Sequence, residues 1–374
     1  MEVFEALCPA PPRWEVPWQR ITETFDWVRR LAGVPQDPIH HAEGDVATHT
    51  RMACEALASS EAWRRRPPAE RVRLFAAVLL HDAAKPDCTR QEPDGRITSH
   101  GHSRRGAQLA RRVLWEADVP RGDREHVAAL VRHHQVPFWA LERDDTESIA
   151  FRVSVTASNR DLVELARADI TGRICQDLDE ILEYIQWYEE YCAERKCLDT
   201  PREFPYNFAR FEYFRTPGRD PDYAAYDTTR FTVTVMSGLP GVGKDHWIAQ
   251  HRPGLPVVSL DEIRAKLGVD PSDDQGRVVA EAYAQAREHL RAKRPFVWNA
   301  TNVTRQVRQR CITMIANYHA RVELVALEAP PSVLRSRNRS RATPVPESVM
   351  DRLIANWEPP DVTEAHSVTY VDTR

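Results

Sequence analysis

Residues 231–245 read FTVTVMSGLPGVGKD and predict a strand, a glycine-rich loop and the start of a helix in direct succession. Short β-rich runs recur further along the chain, with helical patterns between them: PVVSL, PFVWNA and RVELVALEAP. Strands that alternate with helices in this way indicate an α/β domain with a mainly parallel sheet. We place this domain at residues 231–374.

The glycine-rich loop has the pattern G-x-x-x-x-G-K over residues 238–244. Its glycines let backbone N–H groups face phosphates, its lysine reaches the terminal phosphates, and the following helix adds its dipole. The sequence therefore predicts a site for a nucleoside triphosphate, ATP or GTP, together with Mg²⁺. The expected nucleotide-binding residues are Gly238, Leu239, Pro240, Gly241, Val242, Gly243, Lys244 and Asp245.

Asp245 departs from the usual pattern at this loop. A serine or threonine hydroxyl normally follows the lysine and binds Mg²⁺. A carboxylate can bind Mg²⁺ directly or through water, but it also brings negative charge close to the phosphates. The geometry of the metal at this position is therefore left open by the sequence.

SLDEIR puts Asp261 at the carboxyl end of a predicted strand. In open α/β sheets that end faces the crevice where ligands bind. A carboxylate there can accept the proton of an attacking hydroxyl, and Arg264, one helical turn later, could hold an anion on the acceptor. Without other context, the same pair also fits a helix N-cap followed by a surface arginine.

The segment VLRSRNRSRATPVP holds four arginines within seven residues, at positions 335, 337, 339 and 341. Mobile arginines that neutralise a transferring phosphoryl group are a recurrent device in kinases. A solvated basic surface explains the same spacing equally well.

Upstream of the α/β domain the pattern changes. Between residues 21 and 197, apolar residues recur at i, i+3 and i+4 in successive segments punctuated by Pro and Gly, which predicts an all-α domain. Residues 1–20 are rich in Pro and Trp and are expected to pack as an arm. Residues 198–230 are rich in Pro, Tyr and Phe; we place an irregular linker here and expect its aromatic side chains to pack on a neighbour.

The all-α domain is also where histidines concentrate, because nine of the fourteen in the chain lie between residues 40 and 134. Histidines and carboxylates together suit a borderline divalent metal such as Mn, Fe, Co, Ni or Zn. Such an ion can activate water and polarise a phosphoryl oxygen. The candidate ligands are His49, His81, Asp82, His102, His133 and Asp169.

Five segments of this domain resemble the HD phosphohydrolase superfamily, in the order of that family: THTRMA, LLHDAAKP, SHGHSRRGAQLA, VRHHQVP and LARADITGR. The resemblance implies that His49, His81, Asp82 and Asp169 form one metal site. His102 and His133 would extend it to a second metal. Lys85 would contact the phosphate or steady Asp82.

Two of these assignments have a competitor next to them. His100 competes with His102, which is preferred because it precedes the small residues Gly106 and Ala107 that the family has at this point. His134 competes with His133, which is preferred because the family ligand is normally the first of the pair. His40, His41 and His126 are expected not to be ligands, although His40 or His41 could line the pocket.

The α/β domain resembles the P-loop polynucleotide kinase family through GLPGVGKD, SLDEIR, WNATNVTR and RNRSRATPVP. The resemblance implies that Lys244 binds the donor phosphates, that Asp261 is the general base and that Arg264 holds the phosphate next to the 5′ end. Arg337 and Arg341 would be lid arginines on the donor. Polar residues of WNATNVTR would order the crevice: Asn299, Thr301 and Asn302.

Together the two halves resemble bacterial bifunctional end-healing enzymes, in which an HD phosphoesterase is fused to a polynucleotide 5′-kinase. The resemblance implies metal-dependent hydrolysis of 2′,3′-cyclic phosphate, 2′-phosphate or 3′-phosphate ends and NTP-dependent phosphorylation of 5′-OH ends of RNA or DNA. It also implies one or two divalent transition metals in the HD site and a role upstream of a nucleic-acid ligase.

The composition of the chain limits the classes of function that it can have. A net charge of −4 excludes a globally basic nucleic-acid binder, though not a locally basic groove. No apolar run is long enough for a transmembrane helix, and the seven scattered cysteines favour reduced thiols in a cytoplasmic protein. Two other functions stay open: an enzyme of nucleotide metabolism with a small-molecule kinase, and an NTP-driven regulatory module that binds RNA.

Overall fold

Two units with separate cores meet in the chain between residues 202 and 203 of the computed structural model: Met1–Arg202 and Glu203–Arg374. The structure describes residues 1–270, 273–341 and 344–373. The division falls inside the segment 198–230 that we predicted as a linker. No described helix combines the length and the apolar character that a membrane crossing demands.

The first unit is helical, which confirms the predicted N-terminal all-α domain. Its helices are α1 (Glu2–Glu5), α2 (Trp18–Thr24), α3 (Asp26–Arg29), α4 (Val46–Ser59), α5 (Glu61–Arg64), α6 (Pro68–Leu80), α7 (Lys85–Cys88), α8 (His102–Glu116), α9 (Arg121–His133), α10 (Val136–Trp139), α11 (Thr146–Thr156), α12 (Asn159–Thr171) and α13 (Leu178–Glu194). A 3-10 turn, Ala140–Glu142, follows α10.

A small β-hairpin interrupts the helices of this unit, and the sequence analysis did not predict it. Strands β1 (Arg90–Gln91) and β2 (Ile97–Thr98) pair antiparallel. The turn between them, EPDG, ends at Gly95 with φ +86°, a backbone angle that glycine tolerates best.

Helix α6 is the centre of the first unit, because α4, α9 and α12 all pack against it. Its last nine residues bury eight side chains, so it presents apolar surface on nearly every side. Helix α8 in turn packs along α9. The carboxyl end of α6 is therefore surrounded by other helices, and the residues just beyond Leu80 lie inside the unit.

The second unit is an α/β domain. Its elements are α14 (Asn207–Arg215), β3 (Phe231–Ser237), α15 (Lys244–His251), β4 (Val257–Ser259), α16 (Leu260–Leu267), α17 (Gly276–Arg291), β5 (Phe296–Asn299), α18 (Arg305–Asn317), β6 (Ala320–Glu328), α19 (Pro331–Arg339), α20 (Glu347–Ala355) and β7 (Ser367–Asp372).

The strands of this unit form one five-stranded sheet in the order β4-β5-β3-β6-β7, and every neighbouring pair is parallel. This confirms the predicted parallel α/β domain. Strand β3 lies at the centre, with Val233 and Val235 fully buried. Its carboxyl end leads into the glycine-rich loop, and β4 and β5 end on the same side, so their following residues share one crevice.

Residues 203–230 pack within the second unit, as their aromatic content predicts, but they include helix α14 and are therefore not wholly irregular as we expected. The ring of Phe211 lies 4.1 Å from that of His366, centroid to centroid. Arg210 Nε donates to the carbonyl oxygen of Val362 at 3.0 Å. The backbone N–H of Arg230 donates to the carbonyl oxygen of His319 at 2.9 Å.

Candidate functional site

Three helices bring the first four predicted ligands together. His49 lies in α4, His81 and Asp82 follow α6, and Asp169 lies near the end of α12. The Nε2 atoms of His49 and His81 are 3.2 Å apart. Asp169 Oδ1 lies 3.2 Å from His49 Nε2, and Asp82 Oδ2 lies 3.2 Å from His81 Nε2. All four side chains are buried.

The close approach of α12 to α4 at this point depends on Gly172. A Cβ atom there would lie 2.5 Å from the backbone nitrogen of Ala53. Real Cβ atoms do not tolerate such a contact, so any side chain would push the two helices apart. Gly172 thus sets the distance between the helices that carry Asp169 and His49.

Two further histidines face the other oxygen of Asp82. His102 Nε2 lies 3.5 Å and His134 Nε2 lies 3.9 Å from Asp82 Oδ1. The two Nε2 atoms are 3.2 Å apart. Asp82 therefore stands between two ligand sets, one on each carboxylate oxygen.

The preference for His133 over His134 is corrected by this arrangement. His133 is the last residue of α9 and is half-buried. Successive helical side chains diverge by about 100°, so the two neighbours point in different directions. His134 is 1% exposed and is the one that reaches Asp82 and His102.

Three other histidines of this unit lie outside the cluster, whereas His41 lies beside it, with its ring centroid 4.9 Å from that of His49. His100 is exposed. His40 Nδ1 lies 3.4 Å from Asp177 Oδ2, and His126 Nε2 lies 2.7 Å from Asp161 Oδ2.

The electrostatics of the second set favour a cation. Burial lowers the pKa of His102, and burial together with His102 and His81 lowers the pKa of His134 to about 3, so both rings are neutral. Each Nδ1 donates to a backbone carbonyl at 2.8 Å: His102 to Ser99 and His134 to Val131. With the Nδ1 protons placed on these carbonyls, each Nε2 presents a lone pair, and a positive ion between the two atoms, 3.2 Å apart, would remove their mutual repulsion.

The carboxylates point to the same conclusion. Within the described part of the chain, Asp82 Oδ1 and Asp169 Oδ2 are buried without a hydrogen-bond partner. Buried polar atoms in native proteins are nearly always satisfied. Ligand atoms 3.2–3.9 Å apart also match the spacing around an ion with bonds of about 2.0–2.2 Å. The residues present therefore fit one or two divalent metal ions.

The side chains of Lys85 and Arg173 keep the two carboxyl groups of the cluster ionised. Burial opposes the charge of Asp82, but Lys85 and His81 outweigh it and hold the pKa of this carboxyl well below its usual range. Lys85 Nζ lies 2.8 Å from Asp82 Oδ2 and donates to Gln36 Oε1 at 2.6 Å. Asp169 is likewise buried, and Arg173, at 2.7 Å, lowers its pKa.

Sequence reasoning missed Glu43, Arg173 and Gln36. Glu43 is 1% exposed and accepts from the backbone N–H of Ile174 at 2.9 Å. Its Oε1 lies 3.1 Å from His49 Nδ1 and 2.8 Å from His41 Nδ1. Glu43 lies in an irregular stretch before α4, so periodicity carries no signal for it. Arg173, four residues after Asp169, has the i,i+4 spacing of a helical ion pair and could have been found.

In the second unit the glycine-rich loop has the backbone that its sequence predicts. Gly238 has φ +154°, and a Cβ there would lie 2.7 Å from the carbonyl oxygen of Leu327. Gly243 has φ +98° and immediately precedes α15. Both positions therefore need glycine. Helix α19 approaches the loop closely, because a Cβ on Gly241 would meet Asn338 N at 3.7 Å.

Lys244 curls over this loop. Its Nζ donates to the carbonyl oxygens of Gly238, at 3.0 Å, and Leu239, at 3.2 Å. Burial lowers its pKa to about 8, although Asp245 and Asp261 oppose this shift and Arg341 adds to it. These four charged groups thus act on one another across one crevice.

Asp245 and Asp261 are held differently. Asn299 Nδ2 donates to Asp245 Oδ1 at 2.7 Å, so a residue at the end of β5 orients the carboxylate that replaces the usual hydroxyl. Asp261 is 70% exposed and pairs with Arg264 one turn later on α16. Arg264 also donates to Gln275 Oε1 at 2.8 Å.

Other residues predicted to order the crevice support its backbone. The carbonyl oxygen of Thr301 accepts from Gly238 N at 2.8 Å, and Asn302 Nδ2 donates to the carbonyl oxygen of Met236 at 2.7 Å.

Of the two predicted lid arginines, Arg337 donates to Thr373 Oγ1 at 3.1 Å, and this hydroxyl donates to the carbonyl oxygen of Val242. Arg341 is exposed.

Comparison with known families divides the chain in the same way. Residues 44–181 match the model described as HD domain, and residues 233–360 match the model described as AAA domain. The first match contains the six side chains of the ligand cluster, and the second contains the triphosphate loop, Asp261 and Arg264. They confirm an HD domain followed by a P-loop domain, as the sequence motifs predicted.

Curated relatives match only part of the chain. An A-adding tRNA nucleotidyltransferase of Deinococcus radiodurans is 35% identical over 147 residues, which cover 39% of this chain and 31% of the relative. A multifunctional CCA protein of Halorhodospira halophila is 38% identical over 116 residues, 31% of this chain and 25% of the relative. The chain thus spans a quarter to a third of the length of these relatives.

Among solved structures, a sugar kinase from Janibacter sp. matches with 18% identity and a TM-score of 0.30, covering 38% of this chain and 86% of its own.

Proposed function

We propose that this chain, an HD phosphohydrolase domain fused to a P-loop kinase-like domain, heals broken nucleic-acid ends. The HD domain would hydrolyse 2′,3′-cyclic phosphate, 2′-phosphate or 3′-phosphate ends, and the P-loop domain would phosphorylate 5′-OH ends. The observation that carries this proposal is the pairing, in one chain, of a buried metal-ligand cluster with a triphosphate loop whose crevice holds Asp261. These two chemistries act on the two termini that a strand break produces.

In the HD domain, His49, His81, Asp82 and Asp169 would hold one ion, and Asp82, His102 and His134 a second. Such ions supply an activated water and polarise a phosphoryl oxygen. Asp82 serves both sets because each of its oxygens faces a different pair of histidines. Lys85 steadies Asp82 and lies next to the same cluster, so it is positioned to attract a phosphate as well.

In the P-loop domain, Lys244 would exchange its two carbonyl partners for oxygens of the donor phosphates. Asp261 would accept the proton of the 5′-hydroxyl, and its 70% exposure leaves room for that acceptor. Arg264 holds Asp261 and would bind the neighbouring phosphate of the strand. Arg337 and Arg341 would approach the donor from α19 and its end. Mg²⁺ would neutralise the phosphates beside Asp245 and Asn299.

The names of the curated relatives favour RNA as the substrate. They are a tRNA nucleotidyltransferase and CCA proteins. A 5′-phosphate and a free 3′ end are the termini that a ligase joins, so we place this chain upstream of a nucleic-acid ligase in the cytoplasm.

A single RNA tests both activities. An oligoribonucleotide with a 5′-OH and a 2′,3′-cyclic phosphate is incubated with ATP or GTP and each of Mg²⁺, Mn²⁺, Co²⁺, Ni²⁺ and Zn²⁺, and both ends are mapped by mass. We expect a 5′-phosphate and an opened or removed cyclic phosphate. A free nucleoside added in excess should not compete. If it competes as well as the oligonucleotide does, the chain is an enzyme of nucleotide metabolism.

A further inference from the structure

A pocket of about 440 Å³ opens in the second unit on the side of the sheet away from the triphosphate loop. Its walls come from some of the residues between 208 and 229, from the end of α18, from the start of β6 and from His366 just before β7. The triphosphate loop follows the carboxyl end of β3, whereas this pocket lies at the amino ends of β3, β6 and β7. None of the residues assigned to either reaction lines it.

Aromatic side chains form one part of this pocket. Phe211 is buried and its ring packs at a tilt against that of His366, which gives the pocket a floor. Tyr223 and Tyr226 stand at its edge with 58% and 84% of their surface exposed. Large rings left in water beside a cavity are well suited to stack on a planar ligand.

Positive charge forms the other part. Arg215 and Arg219 both face Glu212, at 3.2 Å and 3.5 Å. Two guanidinium groups share one carboxylate, so the lining side chains keep one net positive charge and N–H donors that Glu212 does not use. Arg215 also donates to Asn317 Oδ1 at the wall of the pocket. His319 adds a ring whose Nδ1 lies 3.1 Å from Thr228 Oγ1. An anion carried by a planar ring matches this combination.

We propose that this pocket binds one nucleotide of a single-stranded nucleic acid, with the base on Tyr223 and Tyr226 and the phosphate beside Arg215 and Arg219. The inference rests on the proposed function, because the strand would be the one whose 5′ end enters the crevice. It gives the two exposed tyrosines of this segment a role in the P-loop unit.

The span along β3 sets the length of strand required. The seven residues of β3 extend over roughly 20 Å at about 3.3 Å per residue. A stacked strand advances about 3.4 Å per nucleotide, so pocket and crevice lie about six nucleotides apart. A dinucleotide can fill the crevice but cannot reach the pocket.

The test uses the full chain, a double variant Arg219→Ala with Tyr226→Ala, and Arg277→Ala as a matched control. Arg277 is exposed on α17 of the same unit and does not line the pocket. The probes are a twelve-nucleotide 5′-OH RNA with a 3′ fluorophore, a 5′-OH dinucleotide and AMP. Anisotropy gives the Kd for the RNA, and phosphorylation kinetics give KM for both acceptors.

We expect the double variant to bind the twelve-nucleotide RNA about tenfold more weakly, with a similar rise in KM, an unchanged kcat and an unchanged KM for the dinucleotide. Equal RNA affinity in wild type and double variant would overturn the proposal. So would AMP binding that needs these residues without any effect on RNA. Anisotropy needs no phosphoryl transfer, so an inactive wild type that still shows the binding difference counts against the proposed function alone.

Discussion

Glu43 Oε1 lies 3.1 Å from Nδ1 of His49, on the far side of the ring from the ligand cluster, and the carbonyl oxygen of Gly172 lies 3.3 Å from the same nitrogen. A carboxylate that accepts from the outer nitrogen of a metal-binding histidine fixes its ring orientation and raises its basicity, and loss of such a partner typically costs 10–100-fold in metal affinity. We therefore expect Glu43→Gln to weaken Mn²⁺ or Co²⁺ binding about tenfold or more, measured by calorimetry on the metal-free protein.

Glu55→Gln is the matched control for this prediction. Glu55 lies on α4 with His49, but its side chain is half-exposed and its ion pair with Arg51 is long, at 3.9 Å. Its substitution should leave metal affinity unchanged. Equal metal affinity in Glu43→Gln and wild type would show that Glu43 does not position His49.

The adjacent pair His133 and His134 allows an internal comparison. His134→Ala removes an imidazole that lies 3.2 Å from His102 Nε2, whereas His133→Ala changes a half-buried residue beside it. We expect His134→Ala to lose the second ion, and His133→Ala to keep the wild-type stoichiometry, by elemental analysis after dialysis against Co²⁺. The reverse result would return the ligand role to His133.

The two activities should separate because each unit has its own core. Asp82→Asn removes the charge that serves both ligand sets, so we expect loss of 2′,3′-phosphate hydrolysis with 5′ phosphorylation kept within about twofold. Lys244→Ala should do the reverse. Circular dichroism confirms folding of each variant. If either change in a folded chain abolished both activities, the model of two independent sites would fail.

Sequence patterns could identify the elements of this fold and most of the cluster, because those residues lie on helices or directly after strands. His81 and Asp82 end an apolar helix, and Lys244 ends a loop of fixed pattern. The choice of His134 over His133 could not be made in this way, because it depends on how α9 is rotated against α8. That rotation is set by packing in three dimensions rather than by spacing.

Residues that act through others were harder to predict. Glu43 reaches His49 from an irregular stretch, and Asn299 reaches Asp245 from a strand more than fifty positions later in the chain. Neither contact follows from local periodicity. The aromatic segment before β3 was predicted to pack, but only the structure shows that residues 203–230 belong to the P-loop unit.

His366 makes the stability of the P-loop unit depend on pH. It is 1% exposed, and its Nδ1 accepts from the backbone N–H of Val322 at 3.0 Å, so the folded state needs the neutral ring. Burial, together with Arg321, Arg215 and Arg210, lowers its pKa from 6.5 to about 4, and Asp227 opposes this shift. As pH decreases, the imidazole is therefore protonated near pH 6.5 in the unfolded chain but only near pH 4 in the folded chain. The free energy of unfolding falls as pH decreases through this window.

At 1.36 kcal/mol per pKa unit, this group alone should cost about 2 kcal/mol of unfolding free energy between pH 7 and pH 5. His366→Asn keeps an acceptor for Val322 but does not titrate in this range, so it should lose that part of the pH dependence. Urea unfolding of both proteins at pH 7 and pH 5 gives a difference of differences in which all other groups cancel. A value near zero would mean that the folded unit accommodates the charged imidazole.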